Sequence, residues 1–119
     1  MTIRIFQDEE SQGVVERGEH EVICIEAEHK KKKNPLPDHP FNEYLALTFK
    51  VTDKEIYFTG VYSLMPGPKF QDTIQVLQRL GCDITKGTLE ISDIENEKAK
   101  FYLGVGTGQF GKTENKIIL

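Results

Sequence analysis

The chain has 119 residues, 38% of them hydrophobic and 29% charged, and a formal net charge of −4. That length suits one domain, and that balance excludes both a disordered chain and a membrane-embedded one, since no apolar run approaches the ~20 residues that span a bilayer. The charge is uneven: residues 1–29 carry −6, residues 30–69 carry +3 and residues 70–119 carry −1.

Residues 1–18 read as an irregular, acidic lead-in whose Ile3, Ile5 and Phe6 can dock on the body of the domain. The first six residues lack the long apolar stretch and cleavage site of a signal peptide, so a cytoplasmic protein is expected. A first strand is expected over residues 19–28, with Ile23, Ile25 and Ala27 on one face and Val22 and Cys24 on the other. Residues 30–42 then form a long basic loop, because Lys30, Lys31, Lys32 and Lys33 are followed by Pro35, Pro37 and Pro40.

Residues 43–51 are the clearest strand. Leu45, Leu47, Phe49 and Val51 alternate with Tyr44, Ala46, Thr48 and Lys50, giving a core face and a wet face. A turn at residues 52–54 leads into a returning strand over residues 55–64, where Gly60 marks an expected bulge or bend. Phe70, Ile74, Leu77 and Leu80 recur at helical spacing, and Gly81 follows as a stop signal. Residues 88–91 are a short strand candidate and residues 93–96 a turn. Phe101, Leu103 and Val105 alternate with Tyr102 in another strand, and a glycine-rich loop at 104–113 leads to a last strand near residues 116–119.

The resulting order predicts a mainly β chain, a five-stranded OB-type Greek-key barrel with one amphipathic helix between strands 3 and 4. Its expected core is Ile23, Ile25, Leu45, Leu47, Phe49, Ile56, Phe58, Leu77, Phe101 and Leu103, with the helix plugging one end. No repeat or linker divides residues 1–119, so one domain is expected.

Few motifs carry chemistry. Residues 106–113 satisfy the letters of two phosphate-loop patterns, Gly106, Gly111, Lys112 and Thr113 for one, and Gly106, Gly108 and Gly111 for the other. Both need a following helix, and only six residues remain, so the glycines are read as a hairpin loop. Cys24 and Cys82 sit in apolar settings as buried thiols, while His20, His29 and His39 are too scattered for a metal pair. No nucleophile triad or metal cluster appears, so no enzyme and no cofactor are expected.

What remains is a binding pattern. Tyr44 and Tyr57 on adjacent wet faces, with Tyr102 as a third, offer rings on which bases stack, and Phe110 sits beside Lys112 on the glycine loop. Lys30, Lys31, Lys32, Lys33, Lys50 and Lys112 are the cations that would meet phosphates.

Several stretches sharpen this expectation. They are residues 18–22 (Gly-Glu-His-Glu-Val), Glu26-Ala27-Glu28 ahead of the lysines, Glu43 through Val51, and Leu77-Gln78-Arg79-Leu80-Gly81 closing the helix. Together they resemble a family of small phage and mobile-element proteins regarded as OB-fold single-stranded-DNA binders. The resemblance implies sequence-tolerant DNA binding in replication or recombination, with replication or recombination proteins as further partners and no catalysis. This chain departs from it in lacking an acidic C-terminal tail; its acidic segment lies at the N-terminus. The alternative is a non-catalytic protein-interaction module on the same barrel, docking through the acidic segment or a sheet edge. Either admits a homo-oligomer paired through the short apolar last strand.

Overall fold

The computed structural model describes residues 13–85, 87–107 and 111–119. Ile3, Ile5, Phe6 and Phe110 lie outside them, as does most of the lead-in. The strands are β1 (Gly18–Lys31), β2 (Glu43–Val51), β3 (Tyr57–Ser63), β4 (Lys98–Thr107) and β5 (Thr113–Ile118). They form one antiparallel sheet in the order β3-β2-β1-β4-β5. β3 packs beside β5, which nearly closes the sheet into an OB-type barrel. The helix α1 (Pro68–Arg79) lies between β3 and β4, as the sequence predicts.

β2 behaves as its alternation dictates. Leu45, Leu47, Phe49 and Val51 are buried, and Tyr44, Ala46, Thr48 and Lys50 are half-buried on the outer face. Phe49 stacks on Phe58 with ring centroids 5.2 Å apart and meets Phe101 edge-on at 6.1 Å, so β2, β3 and β4 share one aromatic centre.

β1 corrects the sequence reading in two ways. Its ladder with β2 is broken between Cys24 and Glu26 by a bulge, just past Ile23, where its pairing with β4 ends. One extra residue flips the side-chain parity, so Val22, Cys24 and Ala27 fill the core. Ile23 is only half-buried and Ile25 is exposed, so neither belongs to the core in which the alternation places them. The strand also runs through Lys31, because Lys30 pairs with Tyr44 and Lys31 with Glu43. The basic loop is therefore residues 32–42.

Gly60 marks no bulge. The β2–β3 register is continuous through Leu47 and Gly60, and the ring of Tyr62 occupies the space that a Cβ on Gly60 would need. Residues 88–91 form no strand either. Glu90 and Asp93 cap a 3-10 turn at Ile91–Asp93, which diverts the backbone and drops Ile94 fully into the core. β4 continues to Thr107 and β5 begins at Thr113, so the glycine loop is shorter than 104–113 and the last strand longer than 116–119.

α1 begins with Pro68 in its first turn and buries Thr73, Val76 and Leu77. Its end is a Schellman closure: Gly81, at φ 83°, and Cys82 donate to Gln78 and Leu77. The Thr73 hydroxyl donates to the Ser63 carbonyl at 2.6 Å, which ties the helix to the end of β3. At the other end of the barrel, buried Asn115 accepts from Val15 N–H at 2.8 Å and donates to the carbonyls of Val15 and Gly104. This one side chain holds the segment preceding β1 against β4 and β5.

Candidate nucleic-acid interface

The outer face of β2 and β3 is set by register. Tyr44 lies opposite Ser63, Ala46 opposite Val61, Thr48 opposite Thr59, and Lys50 opposite Tyr57. Tyr44 and Tyr57 therefore bracket the strip, six residues apart along the ladder, about 20 Å at strand rise. Between them lie only small or apolar side chains, with Val61 52% and Tyr57 48% exposed. Two wet rings separated by an uncharged floor suit stacking better than hydrogen-bond readout of base edges.

At the Tyr44 end, Lys30 is its cross-strand neighbour, and Phe41 meets Tyr44 edge-on at 6.2 Å. Phe41 is an aromatic contributor that the sequence reading missed, because it follows Pro40 inside a loop rather than alternating in a strand. The loop itself is ordered by Asn42, whose side-chain oxygen accepts from Leu36 N–H at 3.0 Å while its amide donates to the Leu36 carbonyl. Lys30 forms an ion pair with Glu28 at 3.3 Å. Lys31, one residue on, takes the opposite face beside His29. Lys32 and Lys33 are exposed in the turn. Among the described residues, no carboxylate lies within ion-pairing distance of Lys31, Lys32 or Lys33.

At the Tyr57 end, the phenol donates to the Glu55 carboxylate at 2.7 Å, and that hydrogen bond raises its pKa. The Lys50 ammonium donates to the carbonyls of Val51 and Thr52, so it stays beside the turn rather than reaching into solvent. Tyr102, 47% exposed, stands on the outer face of β4, opposite Glu19 on one side and Ile118 on the other. The structure does not bring it onto the β2–β3 strip. Lys112 is exposed in the β4–β5 turn, beyond the Gly18 end of β1, whereas the lysine loop lies beyond the Lys31 end.

A separate apolar cavity of about 530 Å³ opens between α1 and residues 84–94. Leu64, Phe70, Ile74 and Leu89 line it, and His29 and Glu43, 2.6 Å apart, stand at its rim. The two cysteines are free and buried; burial pushes the Cys24 thiol up to about 11 and raises that of Cys82. Burial thus disfavours the thiolate form at both positions. Among the described residues, no helix is long and apolar enough to cross a membrane.

No family model matches this chain, and no curated protein matches it.

Proposed function

We propose that this barrel binds single-stranded nucleic acid, DNA in the first instance, without sequence preference and without catalysis. The observation that carries the reading is the outer β2–β3 strip, with Tyr44 and Tyr57 at its two ends, an uncharged floor between them and the lysine-bearing hairpin at one end. Bases would lie on Tyr44 and Tyr57, each stacking contact contributing about 1–3 kcal/mol, and Lys30, Lys32 and Lys33 would meet the phosphates. Lys31 and Lys50 play a lesser part, since one faces away and the other is held by backbone carbonyls. The resemblance of its sequence to small phage and mobile-element single-stranded-DNA binders supports the same reading, with replication or recombination as the expected setting.

Anisotropy titration of a labelled oligothymidylate at low and high salt tests it. Binding that weakens steeply as salt rises is expected; no binding at low salt refutes it.

A protein-interaction module remains the second reading, and one observation favours it: the apolar cavity beside α1, of a size that admits apolar side chains of a partner segment. Ile74→Glu would abolish such docking and leave oligonucleotide binding unchanged.

A further inference from the structure

The outward positions of β1 read, from its start, Glu19, Glu21, Ile23, the bulged Ile25, Glu26, Glu28 and Lys30. The outward acids of β1 form a fence with one gap: Glu19 and Glu21 stand where β1 pairs with β4, Glu26 and Glu28 where it pairs with β2, and Ile23, beside the bulged Ile25, is the outward residue paired with both. On one side of that gap Ile23 pairs with Lys50, itself opposite Tyr57. On the other side Ile23 pairs with Lys98. Tyr57, Lys50, Ile23 and Lys98 therefore form one row across four neighbouring strands, each rung about 4.8 Å from the next.

Beyond Lys98 the outward positions of β4 are Lys100, Tyr102, Gly104 and Gly106. Lys98, Lys100 and Tyr102 are all exposed. At Gly104 the missing side chain leaves room for Ile118 and for Arg17, whose Nη1 lies 3.7 Å from where a Cβ would stand. At Gly106 the Nζ of Lys116 lies 3.4 Å from the corresponding point. Two further cations thus lie along the same outward row beyond Tyr102, one beside Gly104 and one beside Gly106. Acids are present here too: Glu21 opposes Lys100, Glu19 opposes Tyr102, and Glu114 opposes Gly106. Among the described residues none of these acids is within ion-pairing distance of Lys98, Lys100, Lys116 or Arg17.

We infer that a single strand leaving the β2–β3 strip at Tyr57 crosses β1 through the Ile23–Ile25 gap and continues along β4 over Lys98, Lys100 and Tyr102, ending beside Arg17 and Lys116. This inference rests on the proposed single-strand binding and extends it: the path becomes roughly 55 Å at strand dimensions rather than the ~20 Å of the strip alone. The fence explains why the crossing is there. A phosphate chain passing over β1 elsewhere meets glutamates at successive outward positions, whereas at Ile23 it meets an apolar saddle with the exposed Lys98 on its far side. An acidic protein segment would also be drawn to the β4 cations, but it has no use for an exposed ring bracketed by them, or for a row that begins at Tyr57.

The test uses two oligothymidylates, about 6 and about 20 nucleotides long, at low salt, the shorter filling the strip and the longer the whole path. Lys98→Glu/Lys100→Glu and, separately, Tyr102→Ala should each weaken the longer ligand by about tenfold and change the shorter by less than about twofold. Ile23→Glu, which closes the gap, should do the same; the lysine pair is fully on the surface, so it reports even if Ile23→Glu is poorly folded. If the longer ligand is bound equally by wild type and the lysine variant, the path is wrong while the strip stands. If wild type binds neither ligand, both readings fall. If a polyglutamate peptide binds wild type but not the lysine variant, and the longer oligonucleotide is unaffected, the β4 face serves an acidic protein and the inference is overturned.

Discussion

Asn115 shows how much one polar side chain carries in this barrel. It is 1% exposed, and its amide satisfies the N–H and carbonyl of Val15 and the carbonyl of Gly104. Asn115→Ala would leave those backbone groups buried without partners, at about 2–4 kcal/mol. Urea unfolding should show that loss, and limited proteolysis should cut near Val15 in the variant. Cys24 makes a pH prediction. Its thiol, ordinarily at 9.0, is pushed up to about 11 by burial. Between those values the folded chain keeps a proton that the unfolded chain has lost, so the contribution is complete below about pH 9 and disappears as pH rises toward 11. Two units correspond to about 3 kcal/mol. The melting temperature should fall through this window, more shallowly in Cys24→Ala; buried Tyr62, also raised by desolvation, adds to the loss above pH 10.

At the scale of elements, what the sequence revealed followed from whether a single alternation held. β2 was legible to the residue because one face is buried and the other wet along its whole length. β1 was not, because its bulge falls at Cys24–Glu26 among ordinary strand residues, with no glycine to announce it, and the parity change exchanged Ile23 and Ile25 for Val22 and Ala27. Lys30 and Lys31 extend β1 although lysines in a row look like a loop, since a hairpin strand needs only a partner, and Tyr44 and Glu43 supply one. Tyr44 and Tyr57 could be named as wet-face rings from alternation alone. Phe41 and the Lys50–Ile23–Lys98 row could not, because their proximity exists only in loop geometry and cross-strand register. The lysine hairpin carries its own prediction. Lys32→Glu/Lys33→Glu should reduce the salt dependence of oligonucleotide affinity by about one to two counterions, leaving thermal stability unchanged because both side chains are exposed.

For the whole molecule, the net charge of −4 and the proposed ligand are reconciled by arrangement rather than composition. Acids line the outer face of β1, and cations flank them on the hairpin, on β2 and on β4, so a polyanion meets favourable ground only along a defined route. Screening beyond roughly 10 Å makes that local pattern count for more than the sum. The barrel supplies the route: its five strands fix the register that brings Tyr44 and Tyr57 to the two ends of one strip, and α1 buries Thr73, Val76 and Leu77 in the core. The most direct measurement is the affinity of wild type and Tyr44→Ala for the same oligothymidylate at low salt. Binding by wild type, and a loss of about 5- to 100-fold in the variant, are predicted from one stacking contact. Equal affinity of the two proteins, or no binding by wild type, would contradict the account.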